Sequence, residues 1–226
     1  MRCKSIRHLL SGVAFGLFGL LGSAHADIID FESLPPDSLF GDGATFNQLT
    51  YYQFTQNGDF GLASSAASFA VALPPTGNDT QFYGALNDTS VSFQRTDGVA
   101  FSISGFDAAY LSPFPQGEGV FAGRILLIAT DADGQTLSNS WDFGASDGNG
   151  SYAFQSFSLG SGFSNLTSAT FVACIYEGDG CVFQAQNAAQ FAVDNIVVTP
   201  VPEPQAYAMM ALGMLVVGFC CRPKRA

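Results

Sequence analysis

The sequence has 226 residues, of which 47% are hydrophobic and only 12% are charged, and its formal net charge is −11. Six of its eight cations lie near the two ends, so residues 27–200 hold eighteen acids against only Arg95 and Arg124, a net charge of −16. Such an acidic region repels phosphate backbones and anionic bilayers, which excludes nucleic-acid binding and disfavours attachment to a membrane surface.

The first 26 residues have the pattern of a secretory signal peptide. Three cations within the first seven residues precede an apolar run over residues 9–21, and Ala24-His25-Ala26 is a small-x-small cleavage site. The apolar run is too short for a permanent membrane anchor. The sequence therefore predicts export by the Sec machinery, cleavage by signal peptidase, and a mature chain that begins at Asp27.

Residues 27–200 show the period-two alternation of apolar and polar residues that is typical of half-buried strands. Phe101 and Ile103 alternate with serines, and turn signals such as Asp97-Gly98 and Asp133-Gly134 separate the apolar runs. Many short strands with regular turns predict one all-β domain, an antiparallel β-sandwich or jelly roll.

Two cysteines fall within this region, Cys174 and Cys181, on either side of Glu177-Gly178-Asp179-Gly180. An even pair in an exported protein predicts a disulfide across the turn. The alternative, a metal held by two thiolates, lacks further Cys or His ligands.

The chemistry open to the mature domain is limited. Both histidines, His8 and His25, precede Asp27, and residues 27–200 contain no Lys. This excludes Ser-His-Asp and Cys-His catalysis, Schiff-base chemistry and histidine-based metal sites. Paired carboxylates leave a glycan-cleaving enzyme open, although fifteen of the eighteen acids are Asp and most of these lie in turn sequences.

Amphipathic aromatic residues offer a second kind of chemistry, because their rings can stack on sugar rings while their polar atoms stay in water. The candidates for such a glycan-binding platform are Trp141, Tyr51, Tyr52, Tyr83 and Tyr110. The alternative is that these residues pack at the edges of the core.

The last 26 residues repeat the features of an export signal in reverse order. Val201-Pro202-Glu203-Pro204 precedes an uncharged apolar run over residues 206–221, and Arg222, Lys224 and Arg225 follow it. This arrangement resembles the PEP-CTERM sorting signal of Gram-negative bacteria that make exopolysaccharide.

The resemblance implies a C-terminal transmembrane sorting helix that an exosortase-type enzyme processes. It implies transient attachment to the inner membrane, then delivery to the cell surface or extracellular matrix. An ordinary single-span anchor is the alternative, and terminal cations would place its end in the cytoplasm.

The domain itself resembles the framework of many PEP-CTERM surface proteins at three places: Ile29-Asp30-Phe31-Glu32, the run from Phe101 to Asp107, and Phe191-x-x-Asp194-Asn195-Ile196. The first and last also resemble the terminal strands of jelly-roll carbohydrate-binding modules. That resemblance implies a structural Ca²⁺ ion held by Glu32 and Asp194, with Asp30 and Asn195 adding oxygen ligands.

The expected function is that of an exported, non-catalytic surface or matrix protein that binds exopolysaccharide. A purely structural matrix protein without a glycan site and a glycan-cleaving enzyme are the alternatives.

Overall fold

The computed structural model describes residues 25–178 and 180–201. Most of the signal sequence and Pro202, Glu203, Pro204, Arg222, Lys224 and Arg225 of the sorting tail therefore lie outside the described residues. Within those two ranges, no helix is long and apolar enough to cross a bilayer.

The described chain folds into fourteen strands. In chain order they are β1 (Asp27–Ile29), β2 (Ser38–Gly41), β3 (Thr45–Gln48), β4 (Tyr52–Asn57), β5 (Phe60–Ser65), β6 (Gln81–Leu86), β7 (Ser90–Arg95), β8 (Phe101–Tyr110), β9 (Gly123–Asp131), β10 (Thr136–Asp142), β11 (Gln155–Ser158), β12 (Leu166–Glu177), β13 (Gly180–Val182) and β14 (Phe191–Pro200).

The strands form two packed layers. In the front sheet the order is β2-β5-β6-β14-β8-β11, and β1 lies beyond the end of β6 on the same edge of β14. In the back sheet the order is β3-β4-β7-β12-β9-β10, and β13 extends the end of β12. Among the described strands, the two sheets are joined in one backbone ladder only by the pair Leu166 and Phe101. All these strand pairs are antiparallel, which confirms the predicted all-β antiparallel class and fits a β-sandwich or jelly roll.

The core between the sheets is rich in phenylalanine because alternate residues of each strand point inward. Phe54 of β4 stacks on Phe93 of β7 at 4.8 Å between ring centroids, and Phe171 of β12 lies beyond at 6.2 Å from Phe93. All three rings are almost completely buried. Full burial of a phenylalanine side chain stabilises a fold by about 1.5–3 kcal/mol, so such a cluster is a large part of what holds the two sheets together.

A second, smaller core covers the outer face of the front sheet. Leu62 of β5, Phe82 of β6 and Ala192 of β14 point away from the main core and pack against Phe69 and Leu111 from the connecting segments. Residues 66–80 therefore lie over this sheet, which explains why all six residues of β6 are buried.

The predicted disulfide between Cys174 and Cys181 is confirmed. It joins the end of β12 to β13, with 5.4 Å between the two Cα atoms. The bond closes a tight hairpin at the end of the back sheet.

Candidate functional site

The predicted aromatic platform is not assembled. Tyr52, Tyr83 and Tyr110 are only 1%, 0% and 5% exposed, so the expectation that they present rings at the surface is wrong. The Tyr83 hydroxyl donates to Gln56 Oε1 at 2.6 Å, and burial raises its pKa. Period-two alternation places these side chains on inward-facing positions, where a single buried hydrogen bond satisfies the phenol.

Trp141 and Tyr51 are more accessible but lie on different parts of the molecule. Trp141 is half-buried on β10 and packs edge-to-face on Phe106 at 5.3 Å, so it closes one edge of the core. Tyr51 is exposed in the β3–β4 turn beneath the Arg95 guanidinium, 5.0 Å from its ring centroid. These two rings do not form one stacking surface.

Asp194, the central residue of the predicted calcium site, is fully buried and already has hydrogen-bond partners. Its Oδ2 accepts from Asn78 Nδ2 at 2.7 Å and from the Thr80 hydroxyl at 3.1 Å, and its Oδ1 accepts from the Asn195 backbone N–H at 2.8 Å. Burial raises the pKa of this carboxyl to about 6, although the three hydrogen bonds oppose the rise.

The other predicted ligands have different partners. Glu32 Oε1 accepts from the Gln81 backbone N–H at 2.6 Å, Asp30 Oδ1 accepts from the Glu32 N–H at 3.2 Å, and Asn195 Nδ2 donates to Asp107 at 2.9 Å. N–H and O–H donors face the Asp194 carboxylate where calcium would require further oxygen ligands, so this arrangement does not fit the ion. Among the described residues no group of three His, Cys, Asp or Glu side chains converges on one point. Calcium binding stays a prediction.

A surface cleft lies at one end of the front sheet, where β6 ends and β14 begins. Its volume is about 270 Å³. It is formed by the start of β5, the turn after β6, the segment after β8 and residues 186–190 before β14. The cleft lies at the margin of the second core, which supplies its apolar floor through Phe60 and Leu86.

One wall of the cleft carries exposed apolar side chains. Phe114 is 61% exposed and Val71 is 51% exposed, and both line the cleft. The Ser112 hydroxyl donates to the Phe114 carbonyl at 2.6 Å, which holds the loop that carries this ring. An exposed phenylalanine beside a concave surface offers a ring on which a ligand can pack, and covering that apolar area would be favourable.

Four amide side chains form another part of the lining, the amide wall: Asn87, Gln186, Asn187 and Gln190. Gln190 is almost buried and its Nε2 donates to the Asn187 carbonyl at 2.6 Å. Each amide supplies both donors and an acceptor, so this wall can hydrogen-bond with hydroxyl groups in either direction.

The loops of the amide wall are held rigidly. The Asp88 carboxylate accepts from the Asn187 N–H at 2.8 Å and from the Ala189 N–H at 2.7 Å, and the buried Tyr110 hydroxyl donates to the Ala188 carbonyl at 2.8 Å. Asn87, Asp88, Gln186 and Asn187 all have positive φ angles, between 52° and 68°. Asn and Asp tolerate this left-handed backbone better than other non-glycine residues, so the conformation marks tight turns that fix the amide wall.

Within the described part of the chain, no charged side chain lines the cleft, although the region from 27 to 200 carries a net charge of −16. The lining offers an aromatic ring, aliphatic surface and amides, and it offers no carboxylate, nucleophile or cation. It can therefore bind a neutral ligand that has both an apolar face and hydroxyl groups.

Sequence reasoning missed this cleft. Phe114 stands between two prolines in Pro113-Phe114-Pro115, and an aromatic residue in a Pro-rich loop was the available signal. The amides come from two segments about 100 residues apart in the sequence, and no local pattern connects them.

No protein-family model matches the chain, and no curated protein matches it. Among solved structures, a DUF4465 family protein from Bacteroides caccae matches with a TM-score of 0.53 at 10% identity, covering 78% of this chain and 100% of that one. This similarity shows the fold.

Two carbohydrate-binding modules match less closely. One is a family 61 module in complex with β-1,4-galactotriose, with a TM-score of 0.32 at 11% identity over 66% of this chain and 88% of that one. The other is a C-terminal family 22 module from Clostridium thermocellum, with a TM-score of 0.32 at 10% identity over 77% and 92%. Their TM-scores are too low to support an inference about function.

Proposed function

We propose that this chain is an exported, non-catalytic surface or matrix protein whose β-sandwich binds a neutral carbohydrate in the cleft at the end of the front sheet. The observation that carries the proposal is the lining itself: among the described residues it combines the exposed Phe114 with amides on hydrogen-bonded loops, and it includes no charged side chain.

The ligand class follows from the chemistry of the two walls. A sugar ring has an apolar C–H face that stacks on an aromatic ring and equatorial hydroxyls that pair with amides. Anionic sugars are disfavoured because Asp59, which accepts from Asn87 at 3.3 Å, and Asp88 lie beside the amide wall. A cationic ligand would find no carboxylate in the lining.

Rigidity supports binding by this cleft. The hydrogen bonds from residues 187–189 to Asp88 fix the amide wall before a ligand arrives, so less conformational entropy is lost on binding. The cleft is small enough to hold one or two rings, which suits weak recognition of a polymer displayed in many copies.

The destination of the protein is part of the proposal. A signal peptide over residues 1–26 and a PEP-CTERM tail over residues 201–226 would deliver the domain to the surface or matrix of an exopolysaccharide-producing bacterium. Exopolysaccharide is then the carbohydrate that the domain meets first.

The test uses calorimetric titration of the exported domain with neutral gluco-, galacto- and xylo-oligosaccharides and with anionic uronate oligosaccharides. We expect weak binding of at least one neutral series and none of the anionic series. Phe114→Ala should weaken binding about tenfold or more, since loss of one stacking contact costs about 1–2 kcal/mol.

The matched control is Phe121→Ala. Phe121 is 60% exposed, like Phe114, but it does not line the cleft. Equal binding by both variants would contradict the assignment of the cleft. Absence of binding by the wild-type protein would favour a purely structural matrix role, and release of shorter oligosaccharides would favour the glycan-cleaving alternative.

A further inference from the structure

The outer face of the back sheet is open, and its residues form rows across five or six strands. The register of neighbouring strands aligns one row through the centre of the face: Ser138, Ile128, Thr170, Ser92, Thr55 and Thr45. A second row runs from Thr136 to Asn47, and a third runs from Ser140 to Asn57.

Alternation of burial confirms that these rows face solvent. On β12 the inward side chains of Ala169, Phe171 and Ala173 are buried, whereas Ser168 and Thr170 between them are partly exposed. Every residue in the three rows is partly or fully exposed, so the described chain places no loop across this face.

The composition of the face differs from that of the domain as a whole. The three rows consist of Ser, Thr, Asn and Gln around a short aliphatic strip formed by Leu126, Ile128 and Val172, and none of their side chains is charged. Charges begin only in the next row, where Asp142 and Arg124 pair with each other at 2.5 Å.

We propose that this face is a second carbohydrate-binding surface, which takes an extended chain of a neutral polysaccharide. Hydroxyl and amide side chains on both sides of an aliphatic strip match a polymer whose rings have C–H faces and hydroxyl edges. The absence of charge fits a neutral polymer and excludes the electrostatic attraction that an anionic one would need. The natural twist of the sheet gives a curved surface, which a single flexible chain can follow more easily than a flat crystal can.

A second copy of this protein fits the face less well. Six strands at a spacing of about 4.8 Å and three rows give a patch of roughly 24 Å by 14 Å, an area on the order of 350 Å². A stable dimer buries about 800 Å² per partner and has an apolar, aromatic-rich centre. The patch is too small and too polar for that role.

The inference is independent of the cleft, because the cleft lies on the front sheet and the rows lie on the back sheet. The test is affinity electrophoresis through gels that contain amylose, agarose or β-1,4-galactan, combined with titration of the corresponding short oligosaccharides. Ser168→Arg places a long cation in the middle of the face, and Ser156→Arg on the exposed strand β11 of the front sheet is the matched control.

We expect Ser168→Arg to reduce retention by at least one polymer about fivefold or more, while oligosaccharide binding by the cleft is unchanged. Ser156→Arg should behave like the wild type. Gln94→Arg, at an exposed position in the same row as Ser168, is the second variant if Ser168→Arg does not fold.

Three results would overturn the proposal. The first is equal retention of Ser168→Arg, Gln94→Arg and the wild type. The second is a lack of retention of the wild type by all three polymers, even if the cleft binds oligosaccharides. The third is a dimer in solution that Ser168→Arg dissociates, which would assign the face to a second copy of the chain.

Discussion

The outer faces of the two sheets differ in exposure: the front one is covered and the back one faces solvent. The front sheet turns Leu62, Phe82 and Ala192 outward, and connecting segments cover them to form a second core. The back sheet turns serines and threonines outward, and its face stays open. Both faces belong to antiparallel sheets in one sandwich, so the difference arises from the outward residues of each strand. Where the outward residues are apolar, connecting segments pack on them. Those segments also contribute to the cleft at the end of the front sheet.

The largest expected change in the free energy of unfolding concerns the covered face. Phe82 is fully buried and packs against Phe69 at 5.4 Å and Phe154 at 5.5 Å. Phe82→Ala should lower the free energy of unfolding by about 3–5 kcal/mol, because it leaves a cavity in the second core. Urea denaturation measures this loss.

The control on the open face is Ile128→Ala, since Ile128 is 37% exposed. It should cost well under about 1 kcal/mol, because the truncated side chain leaves no enclosed cavity. Similar losses for the two variants would show that the two faces do not differ as described.

The disulfide at the end of the back sheet should have the next largest effect. Replacing both Cys174 and Cys181 with serine should destabilise the protein by about 2.5 kcal/mol, the value expected for a ring of eight residues. The comparison is the oxidised wild type in the same urea titration. An unchanged midpoint would mean that the hairpin is held by packing alone.

Asp194 offers a test that depends on pH. Its pKa in the folded protein, about 6, lies above the usual value near 3.8, so the folded state binds the proton more tightly than the unfolded state does. Its contribution to stability is fully present below about pH 4 and is lost as the pH rises through 6. The rise in pKa corresponds to a loss of about 3 kcal/mol of stability between low and neutral pH, and we expect this loss to be absent in Asp194→Asn.

Thermal melts at several pH values compare the two proteins. Asp97 and Asp142, whose pKa values are lowered by Arg95 and by Tyr176 with Arg124 respectively, act in the opposite direction in both proteins. The difference between wild type and variant therefore isolates Asp194. A difference that does not change between pH 4 and pH 7 would contradict the assignment.

The smallest expected effect concerns calcium. Because Asn78, Thr80 and the Asn195 N–H already donate to Asp194, we expect the melting temperature to be the same in EDTA and in calcium at neutral pH. A clear rise with calcium would support the ion predicted from the terminal motifs. It would also require the Asn78 side chain to stop donating to Asp194 and to turn its amide oxygen toward the ion.

Local patterns predicted the class of fold well. The alternation around Phe101 and Ile103 became β8, with both residues buried, and Asp133-Gly134 became the turn between β9 and β10. Strand period and turn chemistry are properties of adjacent residues, so a single sequence contains them. The disulfide could also be predicted, because the two cysteines are only seven residues apart and lie on either side of a turn.

The cleft could not be predicted from the sequence, because its lining comes from segments that are far apart in the chain. Tyr83 was expected at a surface, but it points into the main core, where its hydroxyl donates to Gln56 of β4 in the opposite sheet. Nothing within β6 predicts that contact. The cleft joins Phe114 to Asn87 and to residues 186–190, and the hydrogen bonds of Asp88 connect positions 99 and 101 residues apart. Only the three-dimensional structure brings these groups together.

Strand β14 also has a mechanical consequence. It is bonded along one edge to β8 and along the other to β6 and β1, and it ends at Pro200, one residue before Val201. Tension applied at Val201 would pull along the strand axis and load the hydrogen bonds of both edges in shear, at the same time. Shear of this kind resists force better than peeling a strand from an edge, one bond after another. The pairing of β14 on both edges therefore makes the domain more resistant to tension at its C-terminal end than pairing on a single edge would.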